Sequence, residues 1–132
     1  MRRTLLPVIA LLPLALTACG NSATAQPPVS AFADGTCRVA APDVLALGHA
    51  GGQLGTGKTV DGAVKAQLKD AQDGLRTVTD GAEPAYKSAF SKLVVSTGFV
   101  RIRADGNSYD PALGRQLMTD YDAVLKACGV HS

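Results

Sequence analysis

Apolar residues recur every three or four positions in four separate segments between residues 37 and 128 of this 132-residue chain. The clearest segment carries them at steps of four, four, three, four and three: Val60, Val64, Leu68, Ala71, Leu75 and Val78. This spacing places one apolar stripe along a helix, and a helix with a single apolar stripe has to bury it against other elements. The pattern therefore predicts an all-α domain in which the helices cover one another.

Local signals mark the start of the first helix and both ends of the fourth. The first is predicted to begin after Pro42, because proline is favoured in the first turn of a helix. The second is predicted over residues 59–79. The fourth opens at Asp110 and Pro111, an N-cap residue and a first-turn proline, and Gly129 is placed to end it. Short connections favour antiparallel neighbours, so the predicted fold is a small up-down-up-down four-helix bundle.

The third segment allows two interpretations. After Pro84, a stripe with steps of four and three continues to residue 104 and favours a helix: Tyr86, Phe90, Leu93, Thr97, Val100 and Ala104. Residues 93–103 are also rich in β-branched side chains, and residues 99–103 alternate as in a strand. A lone strand would leave its backbone hydrogen bonds without a partner. The helix is therefore favoured, and the strand stays open as the alternative.

The first 20 residues have the features of an export signal. Arg2 and Arg3 precede an apolar run over residues 4–18, which is shorter than the roughly 20 residues that a membrane-spanning helix needs. The run ends in Leu16-Thr17-Ala18-Cys19, which resembles the lipobox of bacterial lipoprotein precursors. In that family the cysteine thiol receives a diacylglyceryl group, and a dedicated signal peptidase cuts just before the cysteine.

The resemblance covers residues 1–20 only and says nothing about the domain that follows. It implies a lipoprotein signal peptide over residues 1–18 and covalent lipid on Cys19, namely diacylglycerol and an acyl chain such as palmitate. The mature protein would then be exported and anchored by lipid to the cell membrane, with its domain facing outside the cytoplasm.

Residues 19–36 are small, polar and proline-containing, and they lack helical or strand periodicity. Such composition predicts a flexible tether that carries the lipid at its first residue. The sequence leaves open whether Val29 and Phe32 dock on the domain. The helical bundle domain is accordingly assigned to residues 37–132.

With Cys19 assigned to lipid by the resemblance, Cys37 and Cys128 are the remaining cysteines. An exported domain lies in an oxidising compartment, where two cysteines usually form a disulfide. The predicted topology places the start of the first helix and the end of the fourth at the same end of the bundle, and these cysteines lie at those two places. We therefore expect a disulfide between them, and no CxxC spacing suggests a metal or redox pair.

The net charge gives no sign of a nucleic-acid partner. The chain has 13 Lys+Arg and 11 Asp+Glu, a formal net charge of +2. Arg2 and Arg3 would leave with the signal peptide, so the mature chain balances 11 basic side chains (13 minus 2) against 11 acidic ones. Nucleic-acid binding requires a basic patch that such a chain lacks. The expected partners are the membrane, through the lipid, and an unknown protein or small apolar ligand.

One motif suggests a different function. The segment from Gly52 to Thr59, GQLGTGKT, fits the phosphate-loop pattern GxxxxGK[ST], in which backbone amides at a helix start surround phosphates while the lysine pairs with them and the hydroxyl binds Mg²⁺. Gly52, Gly57, Lys58 and Thr59 are therefore the residues of an alternative nucleotide- or phosphate-binding site. No clear strand precedes the segment, and a glycine-rich connection with Thr59 as a helix cap is the simpler interpretation.

No other group of residues points to catalysis. His49 and His131 are the only histidines, whereas a metal site needs three or four converging ligands. Asp120 and Asp122 are two positions apart on a helix and point in different directions, so they do not form an acid-base pair. The sequence predicts no catalytic residue, no metal and no cofactor apart from the lipid on Cys19. It favours a binding or interaction module at the cell surface.

Overall fold

Four α-helices make up most of residues 25–131, the part of the chain that this computed structural model describes. A short 3-10 helix precedes them, and the elements in order are Val29–Ala31 (3-10), α1 (Thr36–Gly52), α2 (Gly62–Asp80), α3 (Pro84–Asp105) and α4 (Pro111–Ala127). Each helix packs against its neighbour in sequence, and α1 also packs against α4, which closes the bundle. The predicted all-α, up-down-up-down four-helix bundle is confirmed.

A disulfide joins the first helix to the last. Cys37, in the first turn of α1, and Cys128, directly after α4, have their sulfur atoms 2.06 Å apart, and both side chains are fully buried. Further along the same two helices, Gly51 of α1 lies against Leu117 of α4. From the first contact to the second, the residue number rises along α1 and falls along α4. The two helices are therefore antiparallel, and the disulfide holds their ends together.

The inner stripes of the four helices form one core. Most residues of the stripes predicted for α2 and α3 are buried, and α4 adds its own inner face; the buried set includes Leu68, Leu75, Phe90, Leu93, Val100, Leu117 and Val124. Val60, Val78 and Tyr86 of those stripes are only partly buried at the edge of the core. Burying one such side chain stabilises the fold by about 1.5–3 kcal/mol relative to exposure.

Residues 93–103 lie wholly within α3, so the helix interpretation is right and the strand alternative is wrong. No helix within residues 25–131 combines the length and the apolar character needed to cross a membrane.

Glycines allow α1 to approach α4 closely. Gly48 faces the ring of Tyr121, and Gly51 faces the side chains of Leu117 and Met118. A Cβ atom at either glycine would overlap those side chains. An interior glycine costs up to about 1 kcal/mol in helix propensity relative to alanine, and close packing of the two helices offsets that loss.

Two helices begin at other positions than the sequence indicated. α1 begins at Thr36 and contains Pro42 in its interior rather than in its first turn. Cys37 and Ala40, ahead of the proline, are fully buried, so the disulfide and core packing outweigh the hydrogen bond that a proline cannot donate. α2 begins at Gly62, three residues later than predicted.

The cap of α2 is Asp61 and not Thr59. The Asp61 side chain accepts a hydrogen bond from the Ala63 amide at 2.7 Å, and its charge also interacts favourably with the helix dipole. At α4 the predicted signals are confirmed. Asp110 accepts a hydrogen bond from an amide in the first turn at 2.8 Å, and Gly129 follows the helix with a φ of 73°, a left-handed conformation that suits glycine.

The second half of the predicted tether belongs to the folded domain. Phe32 is 1% exposed and packs into the core. The Ala33 amide donates to the carbonyl of Cys128 at 3.0 Å, and the Arg38 guanidinium donates to the carbonyl of Phe32 at 2.9 Å. The domain boundary at residue 37 is therefore wrong, because burial of one large aromatic side chain holds this segment in place. The signal peptide, Cys19 and the rest of the tether up to residue 24 lie outside the described residues.

Replacing both Cys37 and Cys128 by serine should destabilise the domain strongly. The disulfide links residues with a sequence separation of 91, for which the denatured-state entropy model gives about 4–5 kcal/mol. We expect the double variant of the mature chain to melt far below the parent when both are followed by circular dichroism. Dithiothreitol should lower the melting temperature of the parent and leave that of the variant unchanged. Equal melting temperatures for parent and variant would contradict this role of the disulfide.

Candidate functional site

The outer face of α3 carries a second apolar stripe. Val95, Phe99 and Ile102, at steps of four and three, are 56%, 57% and 70% exposed. At 100° per residue they lie on the opposite side of the helix from core residues such as Leu93 and Val100. Grouped exposed apolar side chains are typical of interaction surfaces. The second stripe also explains why the end of α3 resembles a strand in sequence, because the helix is apolar on two faces.

A groove of about 480 Å³ runs between α3 and α4 beside this stripe. Val95 and Phe99 line it from α3, and Leu113 lines it from α4. Small-molecule sites commonly have volumes of about 300–1,000 Å³ and apolar walls with a few polar groups. These residues belong to no sequence motif and were not predicted as a site. The steps of four and three from residue 95 to residue 102 were the signal that could have revealed the outer stripe.

The polar groups of the groove differ in exposure. Asp120 of α4 is only 9% exposed, and its Oδ1 accepts a hydrogen bond from Gln116 Nε2 at 3.2 Å. Ser96 of α3 is also buried, but its hydroxyl donates back to the carbonyl of Leu93 at 3.2 Å. Lys92 lines the groove from α3 with an exposed side chain. The Asp120 carboxylate is therefore the main polar group inside the groove.

The residues of the alternative phosphate site do not converge. Gly52 is the last residue of α1, whereas Gly57, Lys58 and Thr59 are exposed in the connection to α2. A helix rather than a strand thus precedes the motif, and the next helix starts only at Gly62. The amides at that helix start, which would have to surround a phosphate, already face the carboxylate of the capping aspartate.

A second groove, of about 370 Å³, lies beside this connection. Gly55, Thr56 and Arg115 line it, together with the buried Tyr109. The Tyr109 amide donates to the carbonyl of Lys58 at 3.1 Å and holds the connection against the start of α4. Burial raises the pKa of the Tyr109 hydroxyl above its ordinary value, which itself lies well above neutral pH. Among the residues that the structure describes, Arg115 is the single cation lining this groove.

Charged side chains on the α2 side of α3 serve the packing of those two helices. Arg101 donates to the side-chain carbonyl of Gln72 and lies 4.0 Å from Asp73. Lys69 pairs with Asp73 at 2.9 Å, and this hydrogen bond with Lys69 is the main reason why the pKa of the exposed Asp73 carboxyl is lowered. These contacts lie on the side of α3 away from the groove.

Residues 25–131 contain no cluster of three or more histidine, cysteine, aspartate or glutamate side chains that could hold a metal ion. His49 is exposed, and its Nε2 lies 2.6 Å from the side-chain nitrogen of Gln53. Asp120 is buried and Asp122 exposed, so the two carboxylates differ in environment as well as in direction.

Comparison of the chain with protein-family models, with curated proteins and with solved structures finds no significant match.

ATP with Mg²⁺ should not bind the protein saturably. The phosphate-loop residues lie in an exposed connection, and a carboxylate occupies the helix start that would receive the phosphate. Isothermal titration calorimetry of the mature chain tests this expectation, with Lys58→Ala as the matched variant. Saturable binding to the parent that is lost in Lys58→Ala would establish the phosphate site instead.

Proposed function

We propose that the protein is an exported, lipid-anchored binding module whose binding surface is the groove between α3 and α4. The observation that carries this proposal is the exposed apolar stripe of Val95, Phe99 and Ile102 beside an open groove. Burying one such side chain in a complex would contribute up to about 1.5–3 kcal/mol. A ligand or partner with apolar surface is therefore the expected occupant.

The lipobox sequence supports attachment to a membrane. Each buried methylene of an acyl chain contributes about 0.8 kcal/mol to membrane binding. One chain holds a protein only marginally, whereas two or three chains hold it stably. A lipidated Cys19 would therefore suffice as the anchor.

The point at which the chain enters the domain favours a groove that faces away from the membrane. The Gln26 side chain donates to the carbonyl of Leu45 at 2.6 Å, so the first described residues lie beside α1. This helix lies across the core from α3, because it packs mainly against α2 and α4. The six Cα–Cα steps from Cys19 to Ala25 span at most about 20 Å when the chain is extended. Lipid on Cys19 would therefore keep the α1 side near the membrane and leave the outer face of α3 in water.

Cys19→Ala should abolish lipid labelling of the protein. The precursor is expressed in a bacterial host that is fed a labelled fatty acid, and the label is followed on gels together with removal of the signal peptide. The Cys37→Ser/Cys128→Ser double variant is the matched control, because it loses two cysteines outside the lipobox and should keep the label. A labelled Cys19→Ala variant would show that the lipobox interpretation is wrong.

Phenylbutanol, an uncharged apolar probe, should bind in the groove. We expect saturable NMR shifts of amides in α3 and α4 when it is added to the mature chain with Cys19→Ser, which carries no lipid. Phe99→Gln should weaken binding at least about threefold and change stability by no more than about 0.5 kcal/mol, because Phe99 is 57% exposed.

Val39→Gln is the matched control for this experiment. Val39 is as exposed as the groove residues but lies on α1, so its replacement should leave probe binding unchanged. If the parent and Phe99→Gln bind the probe equally tightly, the groove is not the binding surface.

A further inference from the structure

Asp120 is the one charged residue among residues 25–131 whose side chain is buried. It lies on α4 and lines the groove next to apolar side chains from both helices. A carboxylate in such a place is unfavourable unless a cation or several hydrogen-bond donors compensate for the lost water. The position of this negative charge therefore indicates which class of ligand the groove binds.

The compensation that the described residues offer is small. One donor, the Gln116 amide, contacts Asp120 Oδ1. No buried side-chain oxygen within residues 25–131 lacks a hydrogen-bond partner, so Oδ2, which has none, reaches the solvent of the open groove. No lysine, arginine or histidine within residues 25–131 comes within 4.0 Å of it. The exposed carboxylates of Asp34 and Asp73, by contrast, do have basic partners, each at 2.9 Å. The buried carboxylate in the groove is thus left without a cation where a partner would matter most.

We propose that the groove binds a small organic cation that has an apolar body and a terminal ammonium group. The ammonium would donate to the Asp120 carboxylate, and the apolar body would lie against Phe99 and Leu113. This inference rests on the proposed function and names the ligand class of the same groove. Charge complementarity selects the class, because a charge-assisted hydrogen bond in an apolar setting is stronger than a neutral one.

The same charge disfavours other occupants. An anionic lipid headgroup or an acidic ligand would be repelled by Asp120, and a purely apolar molecule would cover the carboxylate without replacing the water it displaces. Lys92, on the opposite wall, is a cation like the proposed ligand, and its side chain is exposed. Its ammonium competes with the ligand for the carboxylate, so its removal should strengthen binding.

Three probes that differ only in their terminal group test the proposal: phenylbutylamine, phenylbutanol and phenylbutyrate. At neutral pH the first is a cation, the second is neutral and the third is an anion. We titrate each into the mature chain with Cys19→Ser and follow the amides of α3 and α4 by NMR. The amine should bind about five- to tenfold more tightly than the alcohol, and the acid should bind more weakly than the alcohol.

Variants then assign the effect to the carboxylate. Asp120→Asn keeps the shape of the side chain and should remove the advantage of the amine while leaving phenylbutanol binding close to that of the parent. Asp122→Asn changes the net charge by the same amount at an exposed position of α4 and should leave the advantage intact. Lys92→Gln should tighten amine binding by a few fold and have little effect on the alcohol.

The outcomes separate this proposal from the one on which it rests. If phenylbutanol binds in a Phe99-dependent way and the amine binds no more tightly, the groove is a binding surface but its ligand is not a cation. An advantage of the amine that persists in Asp120→Asn would also overturn the proposal. If none of the three probes shifts the amides of α3 and α4, both proposals are wrong.

Discussion

The covalent link between the start of α1 and the end of α4 is the constraint on which the rest of the bundle depends. α1 has an interior proline and three glycines within 17 residues, so its intrinsic helix propensity is low. The disulfide fixes its first turn to the last residues of the domain. Once that end is held, Gly48 and Gly51 can lie flat against the side chains of α4, and Phe32 can pack into the core. The glycines that lower the intrinsic helix propensity of α1 are the residues that let it pack closely against α4.

The fold could be predicted from the sequence to the extent that one stripe of apolar residues determines one helix. The stripes of α2 and α4, and the inner stripe of α3, are long enough to fix both the helix and its buried face. The start of α1 could not be predicted in this way, because Pro42 is a local signal and the burial of Cys37 and Ala40 is a tertiary effect. The docking of Phe32 stayed open for the same reason: no periodic pattern surrounds it, and its partners come from distant parts of the chain.

The candidate site was harder to predict than the core, because it is a surface that no other helix covers. The spacing of Val95, Phe99 and Ile102 is visible in sequence, but whether such a stripe is covered depends on the position of every other helix. The difference between Asp120 and Asp122 has the same origin. The sequence shows that the two point in different directions, and only the packing of α3 against α4 decides which of them lies inside the groove.

Two features of the groove contribute little to the folding of the domain by itself, and they occur at the same place. The outer stripe of α3 is not needed for folding, because the inner stripe already buries the helix against the core, and polar residues at those positions would be better solvated. A carboxylate at position 120 is likewise not needed for folding, since it neither caps a helix nor pairs with a basic residue within the described chain. Separate structural explanations would have to be found for each feature. A ligand with an apolar body and a positive charge would be complementary to both features at once, and this is the reason to prefer it over an apolar or anionic occupant.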